Sequence, residues 1–361
     1  MTPPRASGAN RTVSPAERIE RDRKAEHIQL ALQEEMQLER NYFEDYFFEQ
    51  RALPEIDFDE IDTSVEFLGR RLSSPLLISC MTGGTDDATR INRNLALGAE
   101  RTGIAIGVGS QRKALEDEST ADSYRIRSFA PSVPLLANLG AVQLNYGYGL
   151  EECSRAVEMI EADALVFHLN ALQEAIQPEG QRDFSGLLAQ MGRISQLLHV
   201  PVIVKEIGCG ISGHVARDLL RHGIRIIDTA GLGGTNWARI EAQRADDPEL
   251  GAVFADWGLP TPTAIQQLSQ IPEITVIGSG GIRNGIDAAK AIALGADLAG
   301  MAYPFLRAAD HSADEVVATV RRTVQELRIC MFCLGARTLG ELRNARLHHR
   351  FAPLLPPRER T

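Results

Sequence analysis

The chain has 361 residues, 44% apolar and 24% charged, and its 48 acidic and 38 basic residues leave a net charge of −10. That apolar content excludes a disordered chain. The acidic balance argues against sequence-independent nucleic-acid binding, and no apolar run approaches the roughly 18 residues of a membrane-spanning helix. Of the 38 basic residues only four are lysines, at positions 24, 113, 205 and 290. Arg serves most roles of a solvated cation, so each retained ammonium raises the question of what it does there.

Residues 1–17 are rich in Pro, Ser, Gly and Arg without periodicity, which predicts a disordered tail and no secretory signal. The charged, helix-like pattern from Arg18 to Gln50 predicts a helical extension. Residues 52–74 read as loops with short strands around Ile56–Phe58 and Val65–Phe67. The extension and arm together span 18–74. Eight short apolar runs follow: Pro75–Met81, Ile104–Ser110, Pro134–Ala141, Ala164–Asn170, Pro201–Gly208, Ile224–Gly231, Ile274–Gly281 and Leu298–Tyr303. Runs without polar alternation suit strands buried on both faces, as in parallel sheets. Helix-period segments separate them, including Asp86–Arg101, Leu150–Glu161, Ser185–Leu198, Ser212–Arg221 and Asn284–Leu294. Eight such units predict an α/β fold, a (β/α)8 TIM barrel over 75–345 with a tail over 346–361. An open doubly wound sheet is less favoured, because no G-x-G-x-x-G follows the first run. Five cysteines, an odd number spread along the chain, predict a reducing, cytoplasmic location without a disulfide framework.

Barrel chemistry sits at the C-terminal ends of the strands. There the chain places Met81-Thr-Gly-Gly84, Gly109-Ser-Gln-Arg112, Asn138-Leu-Gly-Ala141, His168-Leu-Asn170, Lys205-Glu-Ile-Gly208, Asp228-Thr-Ala-Gly231 and Ser279-Gly-Gly-Ile-Arg283. The long loops 171–184 and 232–262 are candidate lids. Ser279-Gly280-Gly281 with Gly300 suggests a phosphate site between strands 7 and 8, where glycine lets backbone N–H groups approach. Lys205 is suited to a point-charge contact with a phosphate or a ring carbonyl, and Arg112 can hold phosphate bidentately. Glu174, a single carboxylate, suits magnesium shared with phosphates. His168 and Glu174 lack a third ligand for zinc. Trp237 and Glu241, four apart, share a helix face. Arg23-Lys24-x-x-His27 is either a solvated cluster or a cationic arm over an anionic mouth. Cys330-x-x-Cys333 lies in a helical run and reads as packing. His222-Gly223 reads as a helix C-terminus with a glycine cap, not as the His-Gly-x-Arg element of flavin 2-hydroxy-acid oxidases.

Arg23-Lys24-Ala-Glu-His27, Met81-Thr-Gly-Gly84, Gly109-Ser-Gln-Arg112, Asn138-Leu-Gly-Ala141, His168-Leu-Asn170 with Gln173-Glu174 and Gln177-Pro-Glu-Gly180, Lys205-Glu-Ile-Gly208, Gly233-Gly-Thr-Asn-Trp237 with Glu241, and Leu327-Arg-Ile-Cys-Met-Phe332 occur in unbroken order. Over residues 18–345 the set resembles the type 2 isopentenyl-diphosphate isomerases. Tyr303 departs from the pattern, standing where such enzymes often carry Arg.

The resemblance implies an FMN-dependent isomerase that interconverts isopentenyl and dimethylallyl diphosphate with reduced FMN, Mg2+ and NAD(P)H as reductant, in a homotetramer or octamer. FMN would contact Met81, Thr82, Gly83, Ser110, Asn138, Lys205 and Thr235, with its phosphate at Ser279, Gly280, Gly281, Ala299 and Gly300. The small-molecule diphosphate would meet Arg23, Lys24, Ser110, Gln111, Arg112, His168, Asn170 and Gln173. Glu174 would hold magnesium. Gln173, Glu241 and His168 are the catalytic candidates, with N5 of reduced FMN as the expected proton donor. The competing expectation is an FMN-dependent 2-hydroxy-acid oxidase.

Overall fold

The structure, a computed structural model, describes residues 26–244 and 248–351. Each of the eight predicted runs contains one strand: β1 Leu76–Ile78, β2 Ala105–Gly107, β3 Leu135–Gly140, β4 Ala164–Leu169, β5 Val202–Glu206, β6 Ile226–Asp228, β7 Thr275–Ser279 and β8 Leu298–Met301. All neighbours are parallel, and β8 pairs back onto β1 through Ala299↔Leu76, which closes the barrel. The reason the runs lack alternation is visible in the two cores. Leu77, Ala105, Leu136, Val166, Ile203 and Leu298 fill the barrel interior. The residues between them, such as Ile78, Ile106, Leu165 and Val204, face the helices. Each strand therefore buries both faces.

The surrounding helices include α1 Asp86–Thr102, α2 Leu150–Ile160, α3 Leu187–Leu197, α4 Gly213–Arg221, α5 Trp237–Arg244, α6 Gly285–Ala293, α7 Tyr303–His311 and α8 Ala313–Leu334. Their ends follow cap chemistry. Thr85 accepts from the Ala88 N–H at the start of α1, and Ser312 does the same from Glu315 N–H for α8. Cys330 and Cys333 lie inside α8 as free thiols. The loop 171–184 begins as a short helix, Ala171–Ile176, and 232–262 contains α5 and the short helix Pro248–Val253. Among the described residues no helix is long and apolar enough to cross a membrane.

The N-terminal arm differs from its predicted helix. Only residues 26–31 of its described part are α-helical. After two 3-10 turns the chain forms a strand, Tyr46–Phe48, antiparallel to Leu347–His349. The segment predicted as a tail from residue 346 thus pairs with the arm, and residues 352–361 lie outside the described set. Ile56–Phe58 is not a strand. Asp57 instead caps a 3-10 turn over Phe58–Glu60. The strand Val65–Phe67 is present and forms a hairpin with Arg70–Leu72. Leu68 and Gly69 both take positive φ in its turn, the geometry that matches strand twist. Phe67 and Leu72 join the interior core and plug the barrel's N-terminal end.

Candidate active site

The C-terminal ends of all eight strands open onto one cleft of about 290 Å3, which is also walled by His27, Ile28, Ala31 and Gln37 of the arm. Its floor centres on Lys205, 7% exposed, whose Nζ donates to the Glu206 carbonyl at 2.6 Å. Across the ladder Lys205 is in register with Asp228. Burial pushes the Asp228 carboxyl above its ordinary range, against the opposing pull of Lys205, the Ser279 hydroxyl and the Ala230 N–H. The Cys80 thiol beside them is driven by burial up to about 11, so it is a neutral wall at physiological pH.

At the side of β7 and β8 the backbone is built for close approach. Gly280 and Gly281 have φ of 105° and 76°. A Cβ on Gly281 would lie 2.5 Å from the Gly233 carbonyl oxygen, and one on Gly280 would overlap Gly231. A side chain is therefore excluded twice, by conformation and by space. The two helix N-termini here differ. Asn284 caps α6 by accepting from Ile286 and Asp287 N–H groups. The N-cap of α7, Ala302, supplies no side-chain cap, and Ala302, Tyr303 and Pro304 line the cleft. The Ser79 hydroxyl, buried beside Gly300, has no partner.

The opposite wall carries the polar chemistry. His168 Nδ1 lies 2.8 Å from Asn138 Oδ1, which fixes the ring. Asn170 Nδ2 donates to Glu174 Oε1 at 2.8 Å and to Gln173 Oε1 at 3.2 Å. The Gln181 N–H donates to Glu174 Oε2 at 2.6 Å. Asn170 Oδ1 is buried without a partner. Behind this wall sits Glu241, fully buried on α5. Its carboxylate accepts from Gln173 Nε2 at 2.7 Å and from Arg244 Nη1 at 2.8 Å, and lies 3.1 Å from His27 Nε2. Burial alone would raise this carboxyl. Contacts with His27, Gln173 and Arg244 outweigh it and hold the group below the usual carboxylate range. Trp237, one turn earlier, meets the His27 ring edge-on at 5.4 Å.

Of the sequence candidates, Met81, Thr82, Gly83, Ser110, Arg112, Asn138, His168, Asn170, Gln173, Glu174, Lys205, Thr235, Ser279, Gly280, Gly281 and Gly300 all line the cleft. Two do not. Gln111 is fully buried, its amide donating to the Ala156 carbonyl at 2.8 Å and accepting from the Asn138 N–H at 3.0 Å. Those bonds spend the amide on packing, so the expected diphosphate contact is corrected to a scaffold role. Ala299 is buried in the β8 ladder, its N–H bonded to the Pro75 carbonyl, and it does not reach the cleft. Arg23 and Lys24 lie outside the described residues.

Several cleft residues escaped the sequence candidates. His27 was visible only through its spacing from Arg23. Arg283, which lines the cleft and donates to the Leu38, Glu39 and Gly233 carbonyls, had only its place after the glycine pair as a signal. Ser79 and Cys80 carried none.

The donor set fits FMN: a buried ammonium on the floor, a glycine cradle that any Cβ would fill, an uncapped helix start and an orphaned hydroxyl. It also fits one magnesium ion held by a single carboxylate, Glu174, beside the orphaned acceptor of Asn170. Among the described residues no group of three or more His, Cys, Asp or Glu could hold a metal alone, so water and substrate oxygens would complete the shell.

The sequence pattern of the FMN-dependent dehydrogenase family matches residues 16–129 and 171–349. The chain is 48% identical to an isopentenyl-diphosphate delta-isomerase of Nostoc sp. over 351 residues, covering 96% of this chain and 98% of the relative. It is 50% identical to one of Paracoccus zeaxanthinifaciens, covering 89% and 95%. A mandelate oxidase structure aligns with TM-score 0.61 at 18% identity, covering 90% of this chain and 92% of the other. A Pediococcus acidilactici lactate oxidase aligns with TM-score 0.64 at 18% identity, covering 86% and 85%. At such identity the structural neighbours establish the barrel and nothing finer.

Proposed function

The chain belongs to the FMN-dependent dehydrogenase family and, within it, to the isopentenyl-diphosphate delta-isomerases; from that premise we propose how its cleft moves the double bond. The enzyme is an isomerase that converts isopentenyl diphosphate to dimethylallyl diphosphate with FMN. The observation that carries the mechanism is the Glu241 carboxylate, buried behind Gln173 and His27 at the wall of a cleft floored by Lys205.

The reaction adds a proton to one carbon of an alkene and removes one from another, with no net redox change. An alkene is a weak base, so the site must exclude water and align the proton path. Reduced FMN, when bound, would supply a ring N–H and an electron-rich ring system. Lys205 would hold the flavin ring from the floor, with Thr82, Ser110, Asn138 and Thr235 orienting it. The Ser279–Gly281 and Gly300 backbone, with the start of α7, would receive the FMN phosphate. Arg112 and His168 would take the substrate diphosphate, with Arg23 and Lys24, and Glu174 would hold Mg2+. Asn170 holds Glu174 and Gln173 in place. A proton passes at Gln173, and Glu241 holds or returns it through its Oε1, which faces both Gln173 and His27.

NAD(P)H as reductant, a homo-oligomeric assembly and a cytoplasmic location belong to the same proposal. The 2-hydroxy-acid oxidase alternative needs a catalytic His after β6. The chain instead has Asp228-Thr-Ala-Gly231 there, with Asp228 buried and bonded by the Ser279 hydroxyl.

The test is a spectrum and an assay on the purified chain with Mg2+. A yellow protein that forms dimethylallyl diphosphate once dithionite or NAD(P)H is added is expected. A colourless protein, or an inert reduced one, overturns the proposal.

A further inference from the structure

One cation in the wall is unexplained by the proton path. Arg244 ends α5, and its side chain is only 13% exposed although it belongs to a loop excursion. Its fork reaches two carboxylates that no other described cation joins. Nη1 donates to the fully buried Glu241 at 2.8 Å, and Nε donates to Glu26 of the arm at 2.9 Å. The same Nη1 lies 3.4 Å from His27 Nε2. Nη2 is 3.9 Å from Glu179, on the loop after β4. Three chain segments therefore converge on one guanidinium: the arm, the β4 loop and the β6 loop.

Each converging segment contributes to the cleft. The arm supplies His27, Ile28 and Ala31, the β4 loop supplies Gln173 and Glu174, and the β6 loop supplies Thr235 and Trp237. The described helical stretch of the arm is residues 26–31. Beyond it, Leu38 N–H to the Gly234 carbonyl and Asn236 N–H to the Met36 carbonyl tie down the later arm. Ahead of residue 28, the described polar ties of the arm to the barrel run through Glu241 and Arg244.

We propose that Arg244 is a positioning residue, the clasp that fastens the arm across the mouth and turns the Glu241 carboxylate toward His27 and Gln173. It rests on the isomerase reading only for what the closed wall then does. The planar fork is essential: one nitrogen serves Glu26 while another serves Glu241. A lysine ammonium carries three donors but on one atom, without the planar fork that sets Nε toward Glu26 and Nη1 toward Glu241.

The experiment uses the FMN-loaded enzyme with Arg244→Lys and Arg244→Gln. Hydrogen exchange of peptides covering residues 26–33 reads the clasp directly, whether or not the chain isomerises anything. Both variants are expected to exchange at least tenfold faster there, with flavin content unchanged. With reduced enzyme, kcat/KM for isopentenyl diphosphate is expected to fall at least tenfold, and Lys is expected not to restore it. Unchanged exchange in 26–33, or full rescue by Lys, overturns the proposal. Should the Arg244 variants not fold, Glu26→Gln removes one anchor from the half-exposed side. It is then expected to accelerate exchange in the same peptides, and its failure to do so is equally fatal. An inactive wild-type enzyme with normal exchange would instead count against the isomerase reading alone.

Discussion

Glu241→Gln isolates charge from shape at the centre of the proposed path. The substitution keeps the side-chain volume and one carbonyl oxygen but replaces an acceptor oxygen with a donor NH2. Glu241 is fully buried, and its two oxygens face donors on Gln173 and Arg244 together with His27. A hydrogen bond to a charged group contributes about 1.5–3 kcal/mol net. The variant weakens the Arg244 bond and sets an NH2 against the Arg244 fork or the Gln173 amide. Arg244 keeps Glu26 as a partner, so the loss of stability is about 2 kcal/mol rather than the sum of the contacts. Its pH dependence has a defined sign. The folded carboxyl is held below its unfolded value, so the contribution is present above the unfolded carboxylate range and is lost as pH falls through the folded value. The wild-type minus variant difference in stability should therefore shrink on acidification. For catalysis, a positioned acid–base group is worth about 10²–10⁴-fold. Because Gln173 and His27 remain, kcat of the reduced enzyme should fall about 10²–10³-fold at unchanged flavin absorbance. Initial rates of dimethylallyl diphosphate formation, with FMN content read on the same sample, supply the measurement. Wild-type turnover by the Glu241→Gln enzyme would refute the role.

Two further substitutions probe the cofactor floor and the scaffold. Lys205→Arg should release FMN or weaken its binding at least tenfold, because a longer planar group cannot occupy a floor where the ammonium is 7% exposed and bonded at 2.6 Å; retained flavin at wild-type affinity, by equilibrium dialysis, would contradict this. Asp163, at the opposite end of the barrel, joins Arg70 at 2.8 Å, Arg127 at 2.6 Å and the Leu135 N–H at 2.8 Å. Asp163→Asn should cost on the order of 2 kcal/mol after discounting for partial exposure, with kcat unchanged. Burial opposes its ionisation, but the Leu135 N–H and the two guanidiniums prevail and lower its pKa. The loss should thus appear above the unfolded carboxylate range and vanish as pH falls through the folded value, as thermal melts across pH will show.

The barrel was legible because parallel strands covered on both faces leave continuous apolar runs separated by helix-period segments. The arm was not, for the opposite reason. Its backbone is held by tertiary bonds, Gln37↔Thr235 and Arg283 to the Leu38 and Glu39 carbonyls, that no local period announces. The same limit applies within the site. Placing Ser110, Gln111 and Arg112 together at a strand end was sound, but only coordinates separate the Gln111 side chain, turned into the packing, from its neighbours in the cleft. The scarce lysines divide in the same way. Lys205 lies on the cleft floor as its strand-end position implied. Lys290, for which the sequence alone offers only a place on a barrel helix, donates to the Phe43 carbonyl at 2.9 Å and pins the arm to α6. Arg244 offered only its three-residue spacing from Glu241, a spacing that countless solvated helix pairs share.

The central claim is an isomerisation that uses reduced flavin without consuming it. Its most direct test is an anaerobic turnover count after a single stoichiometric reduction, with the flavin spectrum followed throughout. The account predicts many molecules of dimethylallyl diphosphate per reducing equivalent, with the flavin still reduced at the end. Product limited to one per flavin, or reoxidation of the flavin in step with product, would contradict it.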